Sequence, residues 1–158
     1  MKRLAAGAGI GVVVLLLAAQ AVDYGRDHAN PPVRREPAWD SARTRELAVR
    51  ACYDCHSNQT VWPWYASVAP ASWLVQRDVD VGRRKLNFSE WDRVQKEVWE
   101  SSKTVRRGEM PPAYYTVPQP HTRLSAAERR ALAEGFDATF GTKRTRGGAG
   151  FTGLGESD

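Results

Sequence analysis

The hydrophobic pattern of the chain begins with an apolar stretch from Leu4 to Val22 in which no residue is charged. Its length is close to the roughly 20 residues that cross a bilayer, and Lys2 and Arg3 precede it. Because positive residues stay on the cytoplasmic side, we expect the rest of the chain to lie outside the cytoplasmic membrane. Residues 1–22 are predicted to be a single-pass anchor or, since Ala19-Gln20-Ala21 matches a cleavage pattern, a signal peptide that leaves a soluble periplasmic domain.

Further along the chain, apolar residues recur at helical spacing in four segments. Each segment starts near a residue that can cap a helix, and two of them end at a glycine. In chain order the predicted starts and ends are Asp40 or Ser41 to Cys52, Ser72 to Leu86 with an interruption at Gly82, Ser89 with Asp92 to Gly108, and Ser125 with Glu128 to Gly141. The last pair is a full capping box and predicts the best-defined helix.

Proline and glycine mark the segments that are predicted to lack regular structure. Asn30-Pro31-Pro32 predicts a Pro-rich extended linker over residues 23–37, and Trp62-Pro63-Trp64-Tyr65 predicts an aromatic, Pro-rich loop. The Gly-rich residues 142–158 predict a flexible tail, because they contain few large apolar side chains. Strand-like alternation is missing, so the sequence predicts one all-α domain over residues 38–141.

Composition and charge narrow the function classes. A chain of 158 residues fits one domain with appendages and is too short for a multi-domain enzyme. The net charge is +5, but basic and acidic residues alternate, and no basic run is interleaved with aromatic residues. We therefore expect no nucleic acid among the partners of the chain.

The strongest chemical signal is Cys52-Tyr53-Asp54-Cys55-His56, which has the C-x-x-C-H spacing of c-type haem attachment. Two thiols separated by two residues can add to the two vinyl groups of one porphyrin edge. The next residue is then placed under the iron, so His56 is predicted to be the proximal ligand. The sequence thus predicts one covalent haem c on Cys52 and Cys55.

Zinc binding, a thioredoxin-like redox pair and a structural disulfide are the alternative interpretations of the cysteine pair. Structural zinc needs four ligands, and the chain has no second cysteine pair. A thioredoxin-like redox pair expects a βαβ setting, and a disulfide between residues three apart would close a strained loop. Haem attachment remains the leading prediction, and export agrees with it because covalent c-type haem is made outside the cytoplasm.

Met110 is the candidate for the distal iron ligand. Apart from the initiator it is the only methionine, and it lies in Gly108-Glu109-Met110-Pro111-Pro112 after a predicted helix end. A thioether there would raise the reduction potential relative to a second histidine. The alternatives are a methionine that only fills the core, His121 as the ligand, and an open sixth site.

Two further sets of side chains are predicted near the haem. Three tryptophans are expected to wall it, and four basic residues of one helix are candidates for pairing with its propionates. These are Trp62, Trp64 and Trp73, and Arg77, Arg83, Arg84 and Lys85. His28 lies in the predicted linker, where we expect an exposed side chain and not a ligand.

Over about residues 30–140 the chain resembles the small haem-binding domain proteins of bacteria with one C-x-x-C-H motif. The similar segments are Asn30-Pro31-Pro32-Val33, ACYDCHSNQTVWPWY from Ala51 to Tyr65, SWLVQRDVDVGRRKLNFSEW from Ser72 to Trp91, and Gly108 to Pro112. The resemblance implies a compact, cytochrome c-like helical haem domain behind an N-terminal membrane segment, with Cys52, Cys55, His56 and Met110 at the haem. Gln59 and Gln119-Pro120 depart from the family pattern, which weakens a histidine ligand near the C-terminal end.

The leading functional hypothesis is a one-electron carrier at the outer face of the cytoplasmic membrane. Two strong axial ligands favour electron transfer, because a filled iron shell changes charge without binding substrate. Redox proteins of the respiratory chain would then be the partners, in weak and transient complexes. The alternatives are a haem sensor or peroxidase-like enzyme with an exchangeable sixth ligand, and a haem-bearing assembly subunit.

Overall fold

The computed structural model describes residues 2–141, with side chains from residue 9 onward. Within this range the chain forms seven α-helices and two short 3-10 helices. The α-helices are α1 (Lys2–Ala19), α2 (Ala42–Ala51), α3 (Tyr53–His56), α4 (Ala71–Lys85), α5 (Val98–Arg107), α6 (Ala113–Thr116) and α7 (Ala126–Phe140), and the 3-10 helices span Trp64–Ser67 and Pro120–Thr122. The only β pairing of the described residues is an isolated parallel bridge between Arg35 and Glu90, so the all-α prediction is confirmed. The predicted tail, 142–158, lies outside the described residues.

The core lies where α2, α5 and α7 pack together. Phe88, which is fully buried, sits among the rings of other aromatic residues. Its ring contacts those of Trp39, Tyr53, Trp91, Phe136 and Phe140, with centroids 5.3 to 6.3 Å apart. Large side chains of this kind supply most of the burial free energy that a small domain has available.

Two of the four predicted helix starts are capped by the predicted residues. Ser41 caps α2, with its hydroxyl accepting from Thr44 N at 3.1 Å. Ser125 and Glu128 form the predicted capping box at the start of α7, and Gly141 follows its last residue with a φ of 75°. These local signals are confirmed because a side chain and the backbone three residues away satisfy each other without help from the rest of the fold.

The predicted helix start at Ser89 and Asp92 is wrong, since α5 begins only at Val98. The groups of Ser89 are engaged elsewhere: its N–H donates to Asn87 Oδ1 at 2.9 Å, and its carbonyl accepts from the N–H groups of Arg34 and Arg35. Its hydroxyl, the group that would cap a helix, instead accepts from Asn58 N at 2.9 Å.

α4 differs from its prediction in two respects. It begins at Ala71, directly after Pro70, and Ser72 is a buried residue inside its first turn and not its cap. It also continues through Gly82 to Lys85 without interruption. The reason for a glycine inside this helix lies in what it packs against, described below.

The predicted linker, residues 23–37, has no helix, as expected, but it is bonded to the domain along its length. Asn30 Nδ2 donates to the carbonyl of Thr60 at 2.9 Å, and the carbonyl of Pro32 accepts from Asn58 Nδ2 at 3.0 Å. His28 is half-buried and stacks on Trp62 with centroids 4.7 Å apart, which corrects the expectation of an exposed side chain. This segment forms part of the packed body of the protein.

α1 covers most of the predicted anchor or signal segment. Among the described residues, none of the helices has both the length and the hydropathy that crossing a membrane requires. Just beyond α1, Gln20 exchanges two hydrogen bonds, of 2.9 and 3.1 Å, with the backbone of Ala69.

Candidate functional site

The cysteine motif lies at the junction of α2 and α3. α2 ends at Ala51, where Cys52 N still donates to the carbonyl of Ala48 at 2.8 Å. The next turn is closed by Cys55 N and His56 N, which both donate to the carbonyl of Cys52, at 3.2 and 2.9 Å. Because residues three and four positions apart share one face of a helix, this turn puts Cys52, Cys55 and His56 on the same side.

These three residues face a cavity of about 310 Å³, a volume within the range of small-molecule and cofactor sites. Met110 lies on the same lining, so the structure brings all four sequence-predicted site residues together. The cavity is bounded by α3, α4, α5 and the segment 110–115, and its deep wall is apolar. The buried apolar residues of that wall are Ala51, Leu86, Phe88, Val105 and Phe136.

His56 is held in one orientation by the segment that follows α4. Its Nδ1 donates to the carbonyl of Leu86 at 3.0 Å, and its own carbonyl accepts from Phe88 N at 2.8 Å. Burial lowers the pKa of the imidazole and outweighs the carbonyl hydrogen bonds, which act in the opposite direction. A neutral ring with Nδ1–H bound to a carbonyl leaves Nε2 with a free lone pair, which is the usual arrangement of a metal-ligating histidine.

Gly82 of α4 touches the backbone of the cysteine motif. A Cβ at this position would lie 2.3 Å from the carbonyl oxygen of Cys55 and 3.1 Å from its Cβ. Only glycine lets the two helices approach this closely. From sequence alone, Gly82 predicts an interruption of the helix. A glycine inside an amphipathic helix, followed by residues that continue its pattern, was the signal for a close contact.

A buried polar network behind His56 was also missed. Asn58 N donates to Ser89 Oγ at 2.9 Å, and Asn58 Oδ1 accepts from Asn87 Nδ2 at 2.8 Å. Asn58 Nδ2 in turn donates to Pro32 O and to Glu90 Oε1, at 3.0 and 3.1 Å. This network fixes the chain just after His56 to the segment that supplies the carbonyl for its ring.

Two tyrosines on the cavity lining donate hydrogen bonds to acidic side chains, and one of these, Asp78, also lines the cavity. Tyr115 donates to Asp54 Oδ2 at 2.5 Å, and Tyr114 donates to Asp78 Oδ2 at 2.9 Å. Burial raises the pKa of both phenols, and the neighbouring carboxylates raise it further, to about 12 for Tyr114. Both hydroxyls therefore stay protonated as donors at neutral pH. Asp54, between the two cysteines, is held in place by this bond and by Val61 N at 2.9 Å.

Met110 follows α5 in a turn. Gly108 ends the helix with a φ of 71°, and Glu109 N donates back to the carbonyl of Thr104 at 3.1 Å. The Met110 side chain is 40% exposed and lies on the cavity, whereas His121 is exposed and is not part of the lining. The geometry thus brings the thioether to the site and leaves His121 outside it.

The expectation that tryptophans wall the cavity is wrong. Trp62, Trp64 and Trp73 are not among the lining residues, and Trp64 is 81% exposed. Four basic residues are predicted from sequence to pair with haem propionates. Of these, Arg77 and Lys85 line the cavity and the other two do not. Arg83 instead binds four oxygens, those of Ser57 O, Ala29 O, Asn30 Oδ1 and Thr60 Oγ1, at 2.9 to 3.1 Å.

The protonation of the two thiols helps to distinguish haem attachment from zinc binding and disulfide chemistry. Both cysteines are free, and burial, with smaller contributions from nearby acidic groups, raises the pKa of each thiol from 9.0 to about 12. Zinc binding and disulfide exchange both need a thiolate, which this environment disfavours. The described part of the chain also assembles no group of three or more His, Cys, Asp and Glu side chains that could hold a metal ion.

A comparison with protein families gives one match. The model of a family described as a haem-binding domain matches residues 14–138, a range that contains every residue on the cavity lining. The comparisons with curated proteins and with solved structures gave no match.

Replacing Gly82 by alanine is expected to displace the cysteine motif, because the added methyl group cannot fit beside the Cys55 carbonyl. Overpacking of this kind costs about 1–3 kcal/mol. Gly82→Ala should therefore lower the midpoint of thermal unfolding and speed the alkylation of Cys55 in the native haem-free chain. Arg84→Ala, an exposed position in the same helix, is the matched control and should change neither. Equal behaviour of the two variants would contradict the close contact.

Proposed function

The chain belongs to the haem-binding domain family, and on that premise we propose that it carries one covalent haem of c type. Cys52 and Cys55 form the thioether bonds, each by addition of its S–H across a vinyl double bond, so that no atom leaves. His56 is the proximal iron ligand. The single observation that carries the proposal is the hydrogen bond from His56 Nδ1 to Leu86 O, which prepares Nε2 for a metal beside two thiols on the same face.

The composition of the cavity fits this group. Its deep wall offers apolar and aromatic side chains to the porphyrin, and four of its five Asp, Glu, Arg and Lys residues are exposed. The raised pKa of the thiols disfavours the competing thiolate chemistry. When bound, the haem supplies an iron that takes up and gives back a single electron.

We further propose Met110 as the distal ligand and one-electron transfer as the function. Its place on the lining, at the end of a turn fixed by Gly108, supports this assignment. A second axial ligand leaves no site on the iron for a substrate, and a thioether raises the reduction potential. The partners would be redox proteins that dock transiently.

One observation favours a second candidate, a haem sensor or peroxidase-like enzyme with an exchangeable sixth ligand. Met110 is 40% exposed. A small ligand from solvent could then compete with the thioether. In this case Tyr114 and Tyr115, whose hydroxyls stay protonated, are phenols on the same lining.

We propose that residues 1–22 direct export, so that the domain receives its haem and acts at the outer face of the cytoplasmic membrane. The apolar stretch after Lys2 and Arg3 supports this, as does the chemistry of haem attachment, which takes place outside the cytoplasm. Whether the segment is cut or retained as an anchor decides between a soluble and a membrane-held carrier.

Loss of both thiols is expected to remove the covalent haem. Cys52→Ala with Cys55→Ala should leave no haem on the chain after acid–organic extraction, whereas His121→Ala, altered outside the cavity, should load as the wild type does. The measurement is the haem absorbance of the extracted, denatured chain. Haem that remains bound to the double variant after extraction would contradict the proposed attachment.

Removal of the distal thioether is expected to open the iron. Wild type should be low-spin in both oxidation states and bind carbon monoxide poorly, and Met110→Ala should become high-spin, bind carbon monoxide and have a lower reduction potential. Absorption spectra with and without carbon monoxide test this. A wild-type haem that is high-spin or binds carbon monoxide readily would favour the sensor or enzyme instead.

Deletion of residues 2–22 is expected to keep the domain in the cytoplasm and without covalent haem. The full chain, expressed in a bacterium that makes c-type haem proteins, should appear outside the cytoplasm with haem attached. Cell fractionation and the mass of the recovered chain measure location and cleavage together. Equal haem loading of both forms would refute the export proposal and leave the attachment proposal standing.

A further inference from the structure

Five charged side chains lie on the cavity lining, and all belong to α4, α5 or the residue before α5. Two are basic, Arg77 and Lys85, and three are acidic, Asp78, Glu97 and Glu100. All except Asp78 are exposed, so they mark the side on which the cavity opens to solvent. Any charged part of a bound ligand would have to lie on this side, because the deep wall is apolar.

Four of these five charges already have partners. Lys85 Nζ forms an ion pair with Glu97 at 2.9 Å, and Glu100 pairs with Lys103 of its own helix at 3.4 Å. Asp78 accepts the hydroxyl of Tyr114 at 2.9 Å. Arg77 forms no hydrogen bond or ion pair with any residue that the structure describes.

The neighbouring arginines of α4 are not in the same position. The guanidinium of Arg83 donates hydrogen bonds to four protein oxygens, as described above. Arg84 is exposed but does not line the cavity. Arg77, Val81 and Lys85 follow each other at a spacing of four residues and so form the stripe of α4 that faces the site.

The chemistry of haem makes this unpaired cation informative. The two vinyl groups lie at one edge of the porphyrin, and the two propionates lie at the opposite edge. With the vinyl edge bonded to Cys52 and Cys55, the ionised propionates would need polar surroundings, which the exposed charged residues of the lining would offer. A guanidinium binds a carboxylate through two parallel hydrogen bonds, which Lys85, already paired with Glu97, cannot offer.

We propose that Arg77 binds a haem propionate and so holds the porphyrin through a contact additional to the thioether bonds. This inference rests on the proposed covalent haem. Arg77 keeps the propionate ionised and adds a positive charge near the iron. That charge disfavours the ferric state relative to the ferrous one, because the ferric iron carries the larger positive charge.

The test is the reduction potential of the haem-loaded chain, measured by redox titration between pH 5 and 8. Arg77→Gln should shift the potential to lower values at pH 8, and the potential should rise again towards pH 5 as the released propionate becomes protonated. Wild type should be flatter over this range. Arg77→Lys should restore much of the potential, and Arg84→Gln, the matched control on the same helix, should titrate like wild type.

Each outcome has a separate meaning. If wild type carries no covalent haem, the proposed function fails before Arg77 is tested. If all forms carry haem and Arg77→Gln titrates like Arg84→Gln, the assignment of Arg77 is wrong while the haem site stands. A shift in Lys85→Gln but not in Arg77→Gln would move the propionate contact to Lys85 and equally overturn the proposal. Because Arg77 is exposed and forms no hydrogen bond or ion pair with a described residue, its variants are expected to fold.

Discussion

The contact between Gly82 and the carbonyl of Cys55 is the constraint on which the site depends. Since no Cβ fits between the two helices, α4 lies directly against the turn that carries the cysteines. The same approach brings the side chains one turn on either side of Gly82 to the cavity and lets the chain after α4 pass under His56. The absence of a side chain at Gly82 therefore affects the positions of the thiols, the imidazole and the charged lining residues of α4 together.

From this contact the structure extends through buried hydrogen bonds. The segment after α4 holds the His56 ring through Leu86 O and the His56 backbone through Phe88 N. Asn58, two residues beyond His56, then joins the same segment to Pro32. Buried polar groups that satisfy each other in this way are costly to disturb, because breaking one bond leaves its partner unpaired in an apolar surrounding. The proline-rich segment before α2 is thus a structural support of the site and not a tether.

Local signals in the sequence predicted what depends on local physics. Ser41, the pair of Ser125 and Glu128, and Gly108 each mark a helix end, and each does so by bonds or backbone angles within a few residues. The cysteine motif likewise carries its geometry in its spacing. The predictions that are wrong concern residues whose structure depends on distant segments. The sequence predicts Ser89 as a cap, but its backbone is bonded to Arg34 and Arg35, which lie more than 50 residues earlier.

The two halves of the cavity are built differently, and this difference bears on function. The proximal half is made of helices in contact, with His56 held by buried hydrogen bonds. The distal half is a turn with an exposed Met110 and two tyrosines whose hydroxyls are held by carboxylates. Precise sites are built on rigid elements with locked supporting residues, whereas a site on a loop tolerates exchange. If the cavity holds haem as proposed, the geometry around His56 stays fixed, and the loop of Met110 alone decides whether the iron is a closed electron carrier or an open binding site.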